Sequence, residues 1–114
     1  MRIDFLYWEE CPSHEEALDR LRSGLAEAGM RDEITVTHVA TEAQARALAF
    51  PGSPTIRLDG RDIQPETAAE GAGRLTCRLY LLEDGRPSPL PSREMIRRRL
   101  AEQAVAQATK GATR

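Results

Sequence analysis

The sequence predicts a single α/β domain, residues 1–114, in the order strand, helix, strand, helix, hairpin, helix (βαβαββα), with an insertion before the last helix. Three observations carry that reading. The run from Ile3 to Trp8 has the character of a strand and gives way, from Ser13, to apolar residues at the helical spacing. The same change recurs between the run from Glu33 to Ala40 and the segment opened by Thr41. Asp59-Gly60 then separates two short extended runs, the strongest local signal for a hairpin. A chain of 114 residues holds one core and is too short for two.

In the first strand Ile3, Phe5 and Tyr7 alternate with Asp4 and Leu6, and β-branched and aromatic residues suit a pleated surface. Leu18, Leu21, Leu25 and Ala28 share one face of the first helix, with Arg20, Arg22 and Glu27 turned away. Its start offers two caps: Ser13 with Glu16 as a capping box, or Cys11 ahead of Pro12 as first helical residue. Gly29 supplies the stop. Ile34, Val36 and His38 alternate against Thr35, Thr37 and Val39 in the second strand. Thr41 with Gln44 is a further capping box, opening a short helix through Ala45 and Leu48 that Pro51-Gly52 ends.

Pro54 stands immediately before the first hairpin strand, and Arg61-Asp62-Ile63 forms the return. Residues 64–74 read as a loop, and Leu75 to Leu82 as a further strand with Cys77, Leu79 and Leu81 on one side. Asp84-Gly85 and prolines 87, 89 and 91 mark an irregular connection. Ser92 caps the last helix, where Met95, Ile96, Leu100 and Ala104 form an apolar stripe. Residues 104–114 turn small and polar and read as a flexible tail.

Composition narrows the function. Sixteen basic residues against eighteen acidic ones give a formal net charge of −2, with no electrostatic footprint of a nucleic-acid partner. Arg97-Arg98-Arg99, the one basic run, reads as a solvated helix face. No stretch approaches the ~18 apolar residues of a membrane span, and Met1-Arg2-Ile3-Asp4 leads straight into a strand without a secretory leader. The expected location is the cytoplasm. There the two cysteines would rest reduced, which favours catalysis, metal binding or redox sensing over a permanent bridge.

The chemistry centres on Trp8-Glu9-Glu10-Cys11-Pro12-Ser13-His14. A cysteine between a strand and a helix lies near unpaired amides and the positive end of the macrodipole, both of which favour a thiolate. The alternative is a buried cysteine that fills space. His14, three residues on, is within reach of the sulfur as imidazolium, base or ligand, or is simply an exposed polar residue; both readings stand. Pro12 would stiffen the turn and Trp8 would form a platform beside the site. Glu9 and Glu10 oppose ionisation of a neighbouring thiol. His38, in a strand, reads as structural. Cys77 is the one candidate for a second thiol, either resolving an adduct or sitting in the core beside Leu79. An antiparallel partner to the strand after Pro54 would return the chain to the Cys11 end.

Two of these segments resemble motifs of the thioredoxin family. Phe5-Leu6-Tyr7-Trp8-Glu9-Glu10-Cys11-Pro12-Ser13-His14 is similar to the strand-to-helix active-site turn of thioredoxins and glutaredoxins, and Ser53-Pro54-Thr55 resembles the cis-proline motif that faces it. The resemblance covers residues 2 to 63 and the last helix, and implies a mixed central sheet flanked by helices. It carries the nucleophile over to Cys11 and the substrate groove to Ser53, Pro54 and Thr55, with a backbone beside Pro54 free to pair with an extended substrate. The usual second cysteine is replaced by His14, so a local dithiol cycle is excluded. Leu75-Thr76-Cys77-Arg78-Leu79-Tyr80 and Pro91-Ser92-Arg93-Glu94-Met95 also resemble small thioredoxin-like bacterial proteins sometimes labelled alkylmercury lyase, which implies two cysteines and an acid acting on a carbon–mercury bond.

The first functional expectation is therefore a thioredoxin-like thiol–disulfide oxidoreductase using a single active-site cysteine, in which the Cys11 thiolate attacks a disulfide or accepts glutathione, aided by His14, with Cys77 as the candidate to resolve the adduct. It needs no bound cofactor, and its partner is a thiol or disulfide substrate or a partner protein. The second is a soft-metal protein holding zinc, copper(I) or mercury(II) through Cys11, Cys77 and His14, with organomercurial cleavage as its catalytic form. The third is a binding module that keeps the scaffold without the chemistry.

Overall fold

Ile3, Phe5 and Leu6 are buried on both faces of the first strand, which places that strand at the centre of the sheet. The computed structural model describes residues 1–68 and 73–112. Strand β1 (Ile3–Tyr7) pairs in parallel with β2 (Ile34–His38) and antiparallel with β3 (Thr55–Leu58). A short β4 (Arg61–Asp62) completes a mixed four-stranded sheet in the order β2-β1-β3-β4. The Asp59-Gly60 turn joins β3 to β4 with φ of 50° and 83°, the double left-handed geometry that a tight hairpin needs.

Helices α1 (His14–Glu27) and α3 (Arg93–Ala112) close one face of this sheet. Ala17, Leu21 and Leu25 meet Met95, Ile96 and Leu100 over Ile3, Phe5, Ile56 and Leu58. Gly24 lets the helices approach, since a Cβ there would stand 3.1 Å from Ile96 Cγ2. The buried face of α1 thus runs through Ala17, Leu21, Gly24 and Leu25, and Ala28, assigned to it from spacing, is exposed. On the other face α2 (Glu42–Ala47) packs Ala45 with Leu6, Val39 and Phe50. Among the described residues no helix is long and apolar enough to cross a membrane.

The helix ends follow local chemistry unevenly. Thr41 and Gln44 form the full capping box, each side chain bonded to the other residue's backbone N–H. Ser92 Oγ accepts from Met95 N–H at the start of α3. Ser13 precedes α1 without a side-chain bond, so the expected box with Glu16 does not form, and the helix begins beyond both Cys11 and Pro12. At its other end Gly29, with φ of 68°, lets Met30 N–H reach Leu25 O in the terminating bond expected of a glycine stop.

The chain beyond the hairpin departs from the expected elements. The last helix continues to Ala112, through most of the stretch assigned to a tail, although Ala104 is exposed; residues 113 and 114 lie outside the described residues. The run from Leu75 to Leu82 is no continuous strand. Only Tyr80–Leu81 (β5) pairs with Pro87–Ser88 (β6), while Cys77 makes an isolated parallel bridge to Ser53. The buried side is also the opposite one: Arg78 and Tyr80 are buried, and Cys77, Leu79 and Leu81 are exposed. The loop assigned to 64–74 contains a turn of 3₁₀ helix at Pro65–Thr67, and its residues 69–72 lie outside the described ones.

Candidate functional site

At the end of β1 the chain turns back on itself, with Cys11 N–H donating to Trp8 O at 3.0 Å. Trp8 N–H in turn donates to Ser53 Oγ at 2.9 Å, which ties this turn to the loop before β3. The Cys11 sulfur lies between them, 1% exposed, and donates to Ser53 O at 3.3 Å. The Ser53-Pro54 peptide bond is cis.

Ser53 is also where the second cysteine arrives. Its N–H donates to Thr76 O at 2.8 Å and its carbonyl accepts from Arg78 N–H at 2.9 Å, so Thr76-Cys77-Arg78 lies along it as a short strand. The backbone beside Pro54, expected to be free for an extended substrate, is therefore occupied by the chain itself. Cys77 is exposed and Cys11 is buried. Partial desolvation raises the Cys77 pKa above that of an ordinary thiol, and the nearby Cys11 raises it further. The reading of Cys77 as a core cysteine beside Leu79 is thereby overturned.

A buried arginine holds this segment down. The Arg78 side chain is 1% exposed, and its two terminal nitrogens grip Asp62 in a fork, each at 2.6 Å. It also donates to Gln64 O at 2.9 Å and Thr67 Oγ1 at 3.1 Å, and more weakly to Thr55 Oγ1 at 3.4 Å. Its guanidinium lies 4.3 Å over the Tyr80 ring. Tyr80, fully buried, donates its hydroxyl to Pro54 O at 2.5 Å, and burial pushes that phenol well above its usual range. Gly52 permits the close approach: a Cβ there would stand 2.9 Å from Arg78 Cβ, and its φ of 129° suits glycine alone.

The other expected site residues divide. Pro12 is exposed beside Cys11, and Trp8 is half-buried against Leu6, Val39, Ala45 and Phe50. Thr55 is buried, its hydroxyl donating to Gly52 O at 2.6 Å, so it supports the loop from beneath. His14 Nδ1 donates to Cys11 O at 2.6 Å, so this ring nitrogen engages the backbone and not the sulfur. The same imidazole stacks on Tyr7 at 4.5 Å, and His38 stacks on Tyr7 at 5.0 Å with Glu9 3.9 Å away. Trp8, Glu9, Glu10, His38, Ala40 and Leu75 line a groove of ≈ 350 Å³ at this end of the sheet. Among the described residues no three or more His, Cys, Asp or Glu side chains converge as a metal site.

Sequence reasoning missed Arg78, Asp62, Tyr80 and Gly52. The one available signal was the alternation of Arg78 and Tyr80 with Cys77 and Leu79, in which hydropathy points to the wrong side. In comparisons with known proteins, no family model, no curated protein and no solved structure matches this chain.

Proposed function

We propose that this protein is a thioredoxin-like thiol–disulfide oxidoreductase whose redox couple is Cys11 with Cys77. The observation that carries the reading is that one residue, Ser53, holds both cysteine segments. The Cys11 sulfur bonds the Ser53 carbonyl, and Cys77 bridges the same residue through its backbone. Further support comes from a cysteine between β1 and α1, a β2-β1-β3-β4 sheet with β1 parallel to β2 and antiparallel to β3, and a cis proline before β3.

The chemistry balances without a bound cofactor. One protein thiolate attacks an external disulfide, forming a mixed disulfide and expelling one external thiolate. The second protein thiolate attacks the protein sulfur of that adduct, closing the Cys11–Cys77 disulfide and releasing the other external thiol. Two protein thiols lose two electrons and two protons, and the substrate disulfide gains them. The reverse direction oxidises a pair of substrate thiols. The partner sulfur comes from 66 residues along the chain (77 − 11), so the Cys-Pro-Ser-His turn needs no second cysteine of its own.

Incubating the reduced protein with oxidised glutathione tests this. The expected product is a monomer that has lost both free thiols and two hydrogens, with Cys11 and Cys77 in one linked peptide pair. Cys11→Ser and Cys77→Ser should each stop at a glutathione adduct or not react. A wild-type protein that retains both thiols, or forms only adducts, would refute the couple.

A further inference from the structure

Resting on the dithiol reading, we propose that the mixed disulfide with substrate forms on Cys77, and that Cys11 is the inner sulfur that closes and reopens the protein disulfide. The roles expected from sequence, with Cys11 as the attacking sulfur, are thus exchanged.

Access is the first argument. Cys11 is 1% exposed and bonded to the carbonyl of Ser53, the residue that the Cys77 segment lies along, whereas Cys77 is exposed. A sulfur exchange needs the attacking, central and leaving sulfurs together, so an external reagent meets the sulfur it can touch. Opening the Ser53 side of Cys11 means lifting Thr76-Cys77-Arg78 away from Ser53. That would break both Ser53 backbone bonds, the Arg78–Asp62 fork and, if Tyr80 followed, the bond to Pro54 O. Separating a buried guanidinium from its carboxylate is among the more costly local changes a fold can make. The arrangement with that segment on Ser53 is therefore the one in which chemistry occurs.

The direction of reaction does not alter the assignment. In the reducing direction Cys77 attacks the external disulfide, taking one of its sulfurs and expelling the other as thiolate; Cys11 then attacks Cys77 and expels the bound thiol. In the oxidising direction an external thiolate attacks the Cys77 sulfur of the internal disulfide, and Cys11 leaves with the electron pair. Both routes pass through one adduct on Cys77, and each breaks one sulfur–sulfur bond for each one formed.

The test compares the two single-thiol proteins with dithiodipyridine at pH about 9, above the ordinary thiol pKa near 8.5. Cys11→Ser, which keeps a hydroxyl to donate to Ser53 O, should react at least tenfold faster than Cys77→Ser, and the difference should vanish in denaturant. As a second measurement, the wild-type protein is quenched with acid early in its reaction with oxidised glutathione and the adduct is located by peptide mass. The adduct is expected on Cys77. Equal or faster reaction of Cys77→Ser, or glutathione on Cys11, would overturn the assignment. Internal disulfide formation in the wild type reports on the couple separately, whichever sulfur reacts first.

Discussion

The two sides of β3 are held by different physics. Toward α1 and α3 the contacts are apolar: Ile56 and Leu58 join Leu21, Met95, Ile96 and Leu100 in a cluster without charge. Around Pro54, Thr55 and Asp62 the contacts are polar and buried, and one arginine ties Asp62, Gln64, Thr67 and Thr55 to the segment bearing Cys77. Apolar packing is non-directional and tolerates adjustment, whereas a forked ion pair fixes a distance and an angle. The side on which both cysteine segments meet Ser53 uses the second kind.

That contrast can be broken most strongly at Arg78. Arg78→Leu leaves the Asp62 carboxylate without its partner, and urea unfolding should show a loss of about 3–5 kcal/mol. Pairing it with Asp62→Leu should recover a large part of that loss, because an apolar pair can replace a buried ion pair. Additive losses would mean that the fork is not a coupled unit. On the apolar side, Leu100→Ala should cost about 2–4 kcal/mol through lost burial and a cavity between the helices, and its effect should add to that of Arg78→Leu. The smallest change is expected on the exposed flank of the segment. Leu79→Ser should alter stability by less than about 0.5 kcal/mol, since Leu79 is 59% exposed. A loss of 2 kcal/mol or more there would restore Leu79 to the core and reverse the facing of the strand.

The apolar side was legible in the sequence because its cause is periodic. Ile3 and Phe5 in the strand, Leu21 and Leu25 in α1, and Met95, Ile96 and Leu100 in α3 repeat at the spacing of the element that buries them. The hairpin and the Thr41 cap were legible because both depend on neighbouring residues alone. Cys11 and Cys77 could be named as candidates, and Pro54 placed before β3. Their mutual arrangement could not be read, because it depends on Asp62 and Arg78 meeting across sixteen positions, and complementarity of that kind leaves no period. Hydropathy also misled at Cys77 and Leu79, since a charge satisfied by a fork and an aromatic face is buried at lower cost than its isolated value suggests.

Residue 52 carries an unusual responsibility. The segment bearing Cys77 rests against a backbone that has no side chain to hold it off, so a methyl group there would act as a wedge against Arg78, pushing that segment from the loop before β3. A position with no side chain of its own thus sets how closely the segment bearing Cys77 approaches the loop before β3.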